Sequence, residues 1–153
     1  MYNETRGLVN KAVWQQTMLI YDFDGEMHIS HETDLVRRLH STKKGQYGAF
    51  ILSHGNDAAS FEDGPFMYVH IAGDLGYAHY FNGGVESHAG FQPAAHEPIT
   101  TDSVVQFLQT DGAEANAIEI PAEIVITAEQ VRQAAVEFFR NPKLPASVTW
   151  FEL

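Results

Sequence analysis

Apolar positions in the chain fall into short β-type runs punctuated by Asp-Gly and Gly-Asp pairs, and in two places they switch to a helical spacing. The first run, Thr17 to Phe23, is followed by Asp24-Gly25, and Glu26 to Ile29 returns. Asp-Gly between apolar runs predicts a tight hairpin in which both turn residues tolerate positive φ. Ser30 is placed to cap a helix reaching about Lys43, with Leu35, Val36 and Leu39 along one face, and Gly45 stops it.

Strand character resumes at Gly48 to Ser53, and a polar loop, His54 to Pro65, carries Asp57, Glu62 and Asp63. Phe66 to Ala72 and Leu75 to Phe81 flank Gly73-Asp74, a second hairpin whose register follows from pairing Ala72 with Leu75. Met67, Val69 and Ile71 then share a face with Gly76, Ala78 and Tyr80, where the two small residues leave room for a helix. The opposite face collects Phe66, Tyr68, His70, Tyr77, His79 and Phe81, read as a second core layer, with a recognition surface as the alternative.

Asn82-Gly83-Gly84 predicts a third turn into a strand from Val85 to Phe91, followed by a loop with Pro93 and Pro98. Asp102 to Gln109 reads as a strand, closed by Asp111-Gly112 before a further strand from Asn116 to Ile120. Thr127 and Gln130 have capping-box spacing, and Val131, Ala134, Ala135, Phe138 and Phe139 form the stripe of the helix that follows. Asn141-Pro142 ends that helix, and Ser147 to Phe151 alternates as a last strand, with Trp150 expected as a core anchor beneath the helix. The expected fold is α+β: an antiparallel meander of hairpins with two main helices on one face. One domain is expected over residues 1–153, with Met1 to Gln16 as an extension.

Charge sharpens this picture. Nine Lys and Arg against 20 Asp and Glu leave a net charge of −11, and no basic residue other than histidine stands between Lys44 and Arg132. Such a field repels phosphate and attracts basic surfaces, so direct nucleic-acid binding is disfavoured and a basic protein partner favoured. There is no cysteine, hence no disulfide and no thiolate chemistry. The amino terminus lacks the layout of a signal peptide and no run approaches a membrane span, so the expectation is a soluble, cytoplasmic protein.

Candidate chemistry is sparse. The run ending Asp22-Phe23-Asp24-Gly25 looks like the nucleophile loop of haloacid-dehalogenase-type phosphatases, but Glu26 stands where that loop has threonine and no parallel βαβ pattern follows. Among the eight histidines, His28 and His31 fall on different elements, whereas His70 and His79 share a sheet face without an alternating carboxylate. No serine-nucleophile or phosphate-loop motif occurs.

The pieces together resemble a known family. Gly73 to Tyr80, then Glu119-Ile120-Pro121, the capped helix Val131 to Phe139, Pro145 and Trp150 look like the first-numbered immunity-protein family of bacterial polymorphic toxin systems. Asp22 to Glu26 and the close from Leu144 to Leu153 are similar to the immunity protein of a double-stranded DNA cytosine deaminase toxin. The resemblance implies a cytoplasmic antidote without catalysis or cofactor, which blocks the active site of a nucleic-acid deaminase toxin. A deaminase acting on DNA presents a basic groove that an acidic inhibitor can occupy. Candidate contacts are then Asp57, Glu62, Asp63, Glu86, Glu97, Asp102, Asp111 and Glu114, with Trp150, Phe138, Gly76 and Ala78 structural. The competing reading is a small histidine-dependent or metal-dependent hydrolase using the histidine-bearing sheet face.

Overall fold

A computed structural model of the chain describes residues 17–42, 45–54, 64–83, 89–110 and 116–153. The elements are β1 (Met18–Asp22), β2 (Gly25–Ile29), α1 (Glu32–His40), β3 (Tyr47–Ser53), β4 (Phe66–Ala72), β5 (Leu75–Phe81) and β6 (Phe91–Pro93). They continue with β7 (Val104–Leu108), β8 (Ala117–Pro121), a short 3₁₀ turn at Ala122–Ile124, β9 (Ile126–Thr127), α2 (Ala128–Arg140) and β10 (Trp150–Glu152). The main antiparallel sheet runs β10-β6-β5-β4-β3-β1-β2, with β9 added to β5. The fold is α+β, an antiparallel sheet of hairpins with two helices packed against it.

The β4–β5 hairpin sits in the middle of this order, and its pairing of Ala72 with Leu75 is the expected one. Gly73 has φ +61 at the first turn position, a conformation costly for any residue with a Cβ. On one face Met67, Val69, Ile71, Ala78 and Tyr80 join Met18, Ile20, Phe50 and Leu52 in a core closed by Leu35 and Leu39 of α1 and by the α2 stripe, including Phe138. Gly76 lets α2 come close. A Cβ there would stand 2.5 Å from Val131 Cγ2 and 3.0 Å from the Thr127 carbonyl. The capping box is present in both directions: Gln130 N–H donates to Thr127 Oγ1 at 3.0 Å, and Thr127 N–H to Gln130 Oε1 at 2.9 Å.

Local departures from the expected pattern have physical causes. In the first hairpin Asp22 pairs with Gly25, so Phe23 and Asp24 form the turn and only Gly25 takes positive φ (+99). Asp22 Oδ1 accepts the Asp24 N–H at 2.8 Å, which closes the turn without a left-handed aspartate. Ser30 does not cap α1. The N-cap is His31, without a side-chain bond, and Glu32 and Asp34 in the first turn favour the positive end of the helix dipole instead. That helix ends at His40 rather than Lys43, because Ser41 is already extended.

Pro93 lies in β6, opposite Trp150, rather than in a loop. Of the strand expected from Val85 to Phe91, residues 84–88 lie outside the described residues, and Ala89 and Gly90 are not in strand, Gly90 having φ +89, so β6 begins only at Phe91. The final strand is shifted to Trp150–Glu152. Trp150 itself is half-buried against the main core, and its Nε1–H donates to the Pro145 carbonyl at 2.7 Å.

β7 and β8 do not extend the meander. Among the described residues they pair only with each other, and they lie over the second face of the main sheet. Alternation explains this: Val105 and Phe107 point into a second core with Tyr77, Ala72, Ile124 and Val125, while Val104 and Gln106 face out.

Phe138→Ala removes a fully enclosed ring and should lower the unfolding free energy by ~3–5 kcal/mol, whereas Trp150→Ala, at a half-covered site, should cost clearly less. Urea denaturation of both variants checks the order. Equal losses would contradict the burial just described.

Candidate functional site

The second face of the main sheet is only partly roofed by β7–β8, and this is where charged and polar side chains meet. The turn between β4 and β5 projects Asp74 to the surface, and the carbonyl of Asp74 accepts the Ala128 N–H at 2.8 Å, so the start of α2 holds the turn in place. Beside it, Asp102 precedes β7, and Glu119 sits on β8 opposite Gln106 with its side chain outward. Asp74, Asp102 and Glu119 line one open cleft of about 770 Å³, and among the described residues no Lys or Arg belongs to its walls. Ile99 and Val104, exposed at 47% and 44%, supply apolar surface to the same cleft.

Of the acids singled out in the sequence, Asp102 is in this cleft. Glu97 is exposed on the preceding segment, whose His96 N–H donates to the Glu123 carbonyl at 2.9 Å. Asp57, Glu62, Asp63, Glu86, Asp111 and Glu114 lie outside the described residues. Asp74 and Glu119 were not singled out, although both belong to the base-free stretch. Their signal was present in the turn after Gly73 and in the alternation of β8.

The histidine-bearing face is a structural layer at its centre and an aromatic ladder at its edge. His70 is buried under β7, with Nδ1 3.0 Å from the Leu108 carbonyl; a carbonyl only accepts, so Nδ1 carries the proton. Burial pushes its pKa down to about 4, and the ring is neutral at pH 7. The Tyr77 hydroxyl is 3.2 Å from His79 Nδ1, and His79 Nε2 is 2.6 Å from the Ala89 carbonyl. By the same rule His79 donates through Nε2 and accepts the Tyr77 proton at Nδ1. Burial raises the Tyr77 pKa to about 12 and lowers that of His79. His79 stacks on Phe81 at 4.4 Å, and Phe81 on Phe66 at 4.6 Å. The expected second core layer is therefore reached only at His70 and Tyr77; Phe66, Tyr68, His79 and Phe81 are half-buried.

These contacts remove the support for a hydrolase. Among the described residues no group of three His, Cys, Asp or Glu could hold a metal. Asp22, the first acid of the phosphatase-like tetrad, is 6% exposed and receives Arg38 through Nε at 2.5 Å and Nη2 at 2.9 Å. Together with its bond to Asp24, this pair ties the first hairpin to α1, a structural use of the tetrad on an antiparallel hairpin. No helix among the described residues is long and apolar enough to cross a membrane.

The buried histidine has a measurable consequence. Between its ordinary pKa near 6.5 and the folded value of about 4, the unfolded chain binds a proton at His70 that the folded chain does not. Stability at this group is therefore complete above the unfolded pKa and falls as pH drops toward 4, by on the order of 3 kcal/mol. Urea denaturation from pH 7 to pH 4 should show a shallower loss for His70→Phe than for the parent. Parallel curves would mean that His70 charges without cost.

No curated protein matches the sequence. The model of a family described as Immunity protein Imm1 does match, over residues 30–152. The match begins just after the first hairpin and takes in both helices, the central β4–β5 hairpin, the β7–β8 pair and β10. With most of its length inside that match, the chain belongs to the Imm1 immunity-protein family and is a non-catalytic inhibitor, not an enzyme.

Proposed function

We propose that this immunity protein neutralises a cognate secreted toxin whose catalytic domain deaminates nucleic acid, by occupying the toxin's basic substrate groove and blocking its active site. The observation that carries the reading is the convergence of Asp74, Asp102 and Glu119 on one cleft to which no Lys or Arg among the described residues contributes. An enzyme that acts on a polynucleotide must gather phosphates with Lys and Arg, and released counterions drive that binding. An acidic cleft with apolar rims complements such a groove by charge and by contact area. Glu97 and the acids of residues 55–63, 84–88 and 111–115 extend the proposed contact set along the base-free stretch. The action belongs in the cytoplasm of the producing cell, where an incoming or self-made toxin would meet nucleic acid. Likeness of Asp22 to Glu26 and of the carboxyl terminus to a DNA cytosine deaminase's immunity protein supports the choice of toxin class.

Charge reversal tests the cleft. Asp102→Lys with Glu119→Lys should slow association with the toxin domain steeply at low salt, because long-range complementarity acts on encounter. Glu26→Lys with Glu152→Lys is the control, on β2 and β10 at the two edges of the sheet. Glu32 and Glu137 are unsuitable controls, since Glu32 holds Arg140 at 2.6 Å and Glu137 accepts the Ser147 N–H at 3.3 Å. In stopped-flow measurements the gap between the pairs should shrink as the Debye length falls from ~10 Å at 0.1 M salt to ~3 Å at 1 M. Equal slowing by both pairs would leave only net charge and remove the cleft from the interface.

A further inference from the structure

A second opening, distinct from the acidic cleft, lies where the end of β7 leaves the sheet. It is a cavity of about 370 Å³, walled by Tyr68, His70, Tyr77 and His79 from the sheet, with Ile118 of β8 and Thr110 also lining it. The hydrogen bonds of its walls determine what it can hold. His70 spends its one proton on the Leu108 carbonyl, so Nε2 is left as a lone-pair acceptor, and it has no partner among the described residues. Tyr77 spends its hydroxyl proton on His79 Nδ1, so its oxygen has only lone pairs to offer. His79 donates its proton to the Ala89 carbonyl. These three side chains therefore show a ligand acceptors and aromatic faces, and no donor.

At these three positions a carboxylate or phosphate would set lone pair against lone pair, while the Tyr68 and Thr110 hydroxyls and the Gln109 amide, which also line the cavity, can donate or accept. A flat cation rich in N–H groups suits the three acceptors and aromatic faces. Guanidinium stacks on aromatic faces and is weakly hydrated, while an ammonium is compact and holds its water. The net charge of −11 draws cations to the surface around it. We infer that this cavity receives the guanidinium of an arginine side chain presented by the toxin, with Nε2 of His70 and the Tyr77 oxygen accepting its N–H groups. The inference rests on the proposed reading of the partner as a basic nucleic-acid-acting domain, and adds an anchor beside the charged contact.

The test uses the intact protein labelled with ¹⁵N-histidine and titrated with Nα-acetyl-argininamide. The His70 Nε2 resonance should move saturably, with binding roughly tenfold tighter than for Nα-acetyl-lysinamide or the neutral citrulline analogue. Thr110→Trp, which fills the cavity from a half-buried position, should abolish the response while the Tm stays near the parent's. A static His70 resonance, an equal response to all three probes, or full binding by Thr110→Trp would each overturn the assignment. None of these readouts involves the toxin. A failed arginine titration beside an intact charge-reversal effect removes the pocket alone, whereas a lost charge-reversal effect removes the reading of the partner.

Discussion

The close approach of α2 to β5 constrains more of this molecule than any other contact. Gly76 leaves no room for a Cβ against Val131 and the Thr127 carbonyl, so the helix start sits directly on the sheet backbone here. β9 pairs there with β5 through Leu75–Thr127 and Gly76–Ile126, and the Ala128 N–H reaches the carbonyl of Asp74. A single locus thus fixes the core on one side of the sheet and the β4–β5 turn on the other. The turn is in turn a wall of the acidic cleft. Packing on the helical face and charge placement on the opposite face are coupled through a few residues around Gly76.

The two faces of the sheet then do different work. The helical face is a closed apolar layer in which α1, α2 and the β-strands exclude water, and it supplies the burial that a chain without disulfides relies on. The face under β7–β8 is a smaller core around Phe107, with openings on which acids, aromatic rings and uncharged histidines border. An inhibitor of this family needs no reacting group; it needs a rigid surface whose field and shape match the partner's. Burial keeps His70 neutral, so the centre of that face does not add positive charge that would oppose a basic partner.

Much of the architecture could be read from local signals because those signals are short-range. The Thr127–Gln130 capping box, the Ala72–Leu75 register and the small residues opposite α2 depend only on neighbours along the chain or across one turn. The place of β7–β8 could not be read that way. Val104 to Leu108 alternates equally well as an added strand or as a roof, and only the competition of Phe107 for the pocket beside Tyr77 decides it. Ser30 does not cap the helix for a similar reason: the helix starts one residue later, with His31 as N-cap, Glu32 and Asp34 favour its first turn, and the Arg38–Asp22 pair ties its last turn to the first hairpin. At the candidate site, the base-free stretch was visible as composition, but the meeting of Asp74, Asp102 and Glu119 is a product of the fold. Their separations along the chain carry no hint of a shared cleft. The family itself was recognisable from the order of motifs after Gly73, which lies within the matched residues.

The central claim is that the protein acts through the face roofed by β7–β8 and not through its helices. Hydrogen–deuterium exchange of the protein alone and bound to its toxin domain tests this most directly. The account predicts slowed exchange on binding in the β4–β5 turn and in the segments from Ile99 to Gln106 and from Ala117 to Pro121, with α1 and the exposed side of α2 unchanged. Protection confined to the groove between the helices, around Val36, His40, Arg132 and Val136, would contradict it.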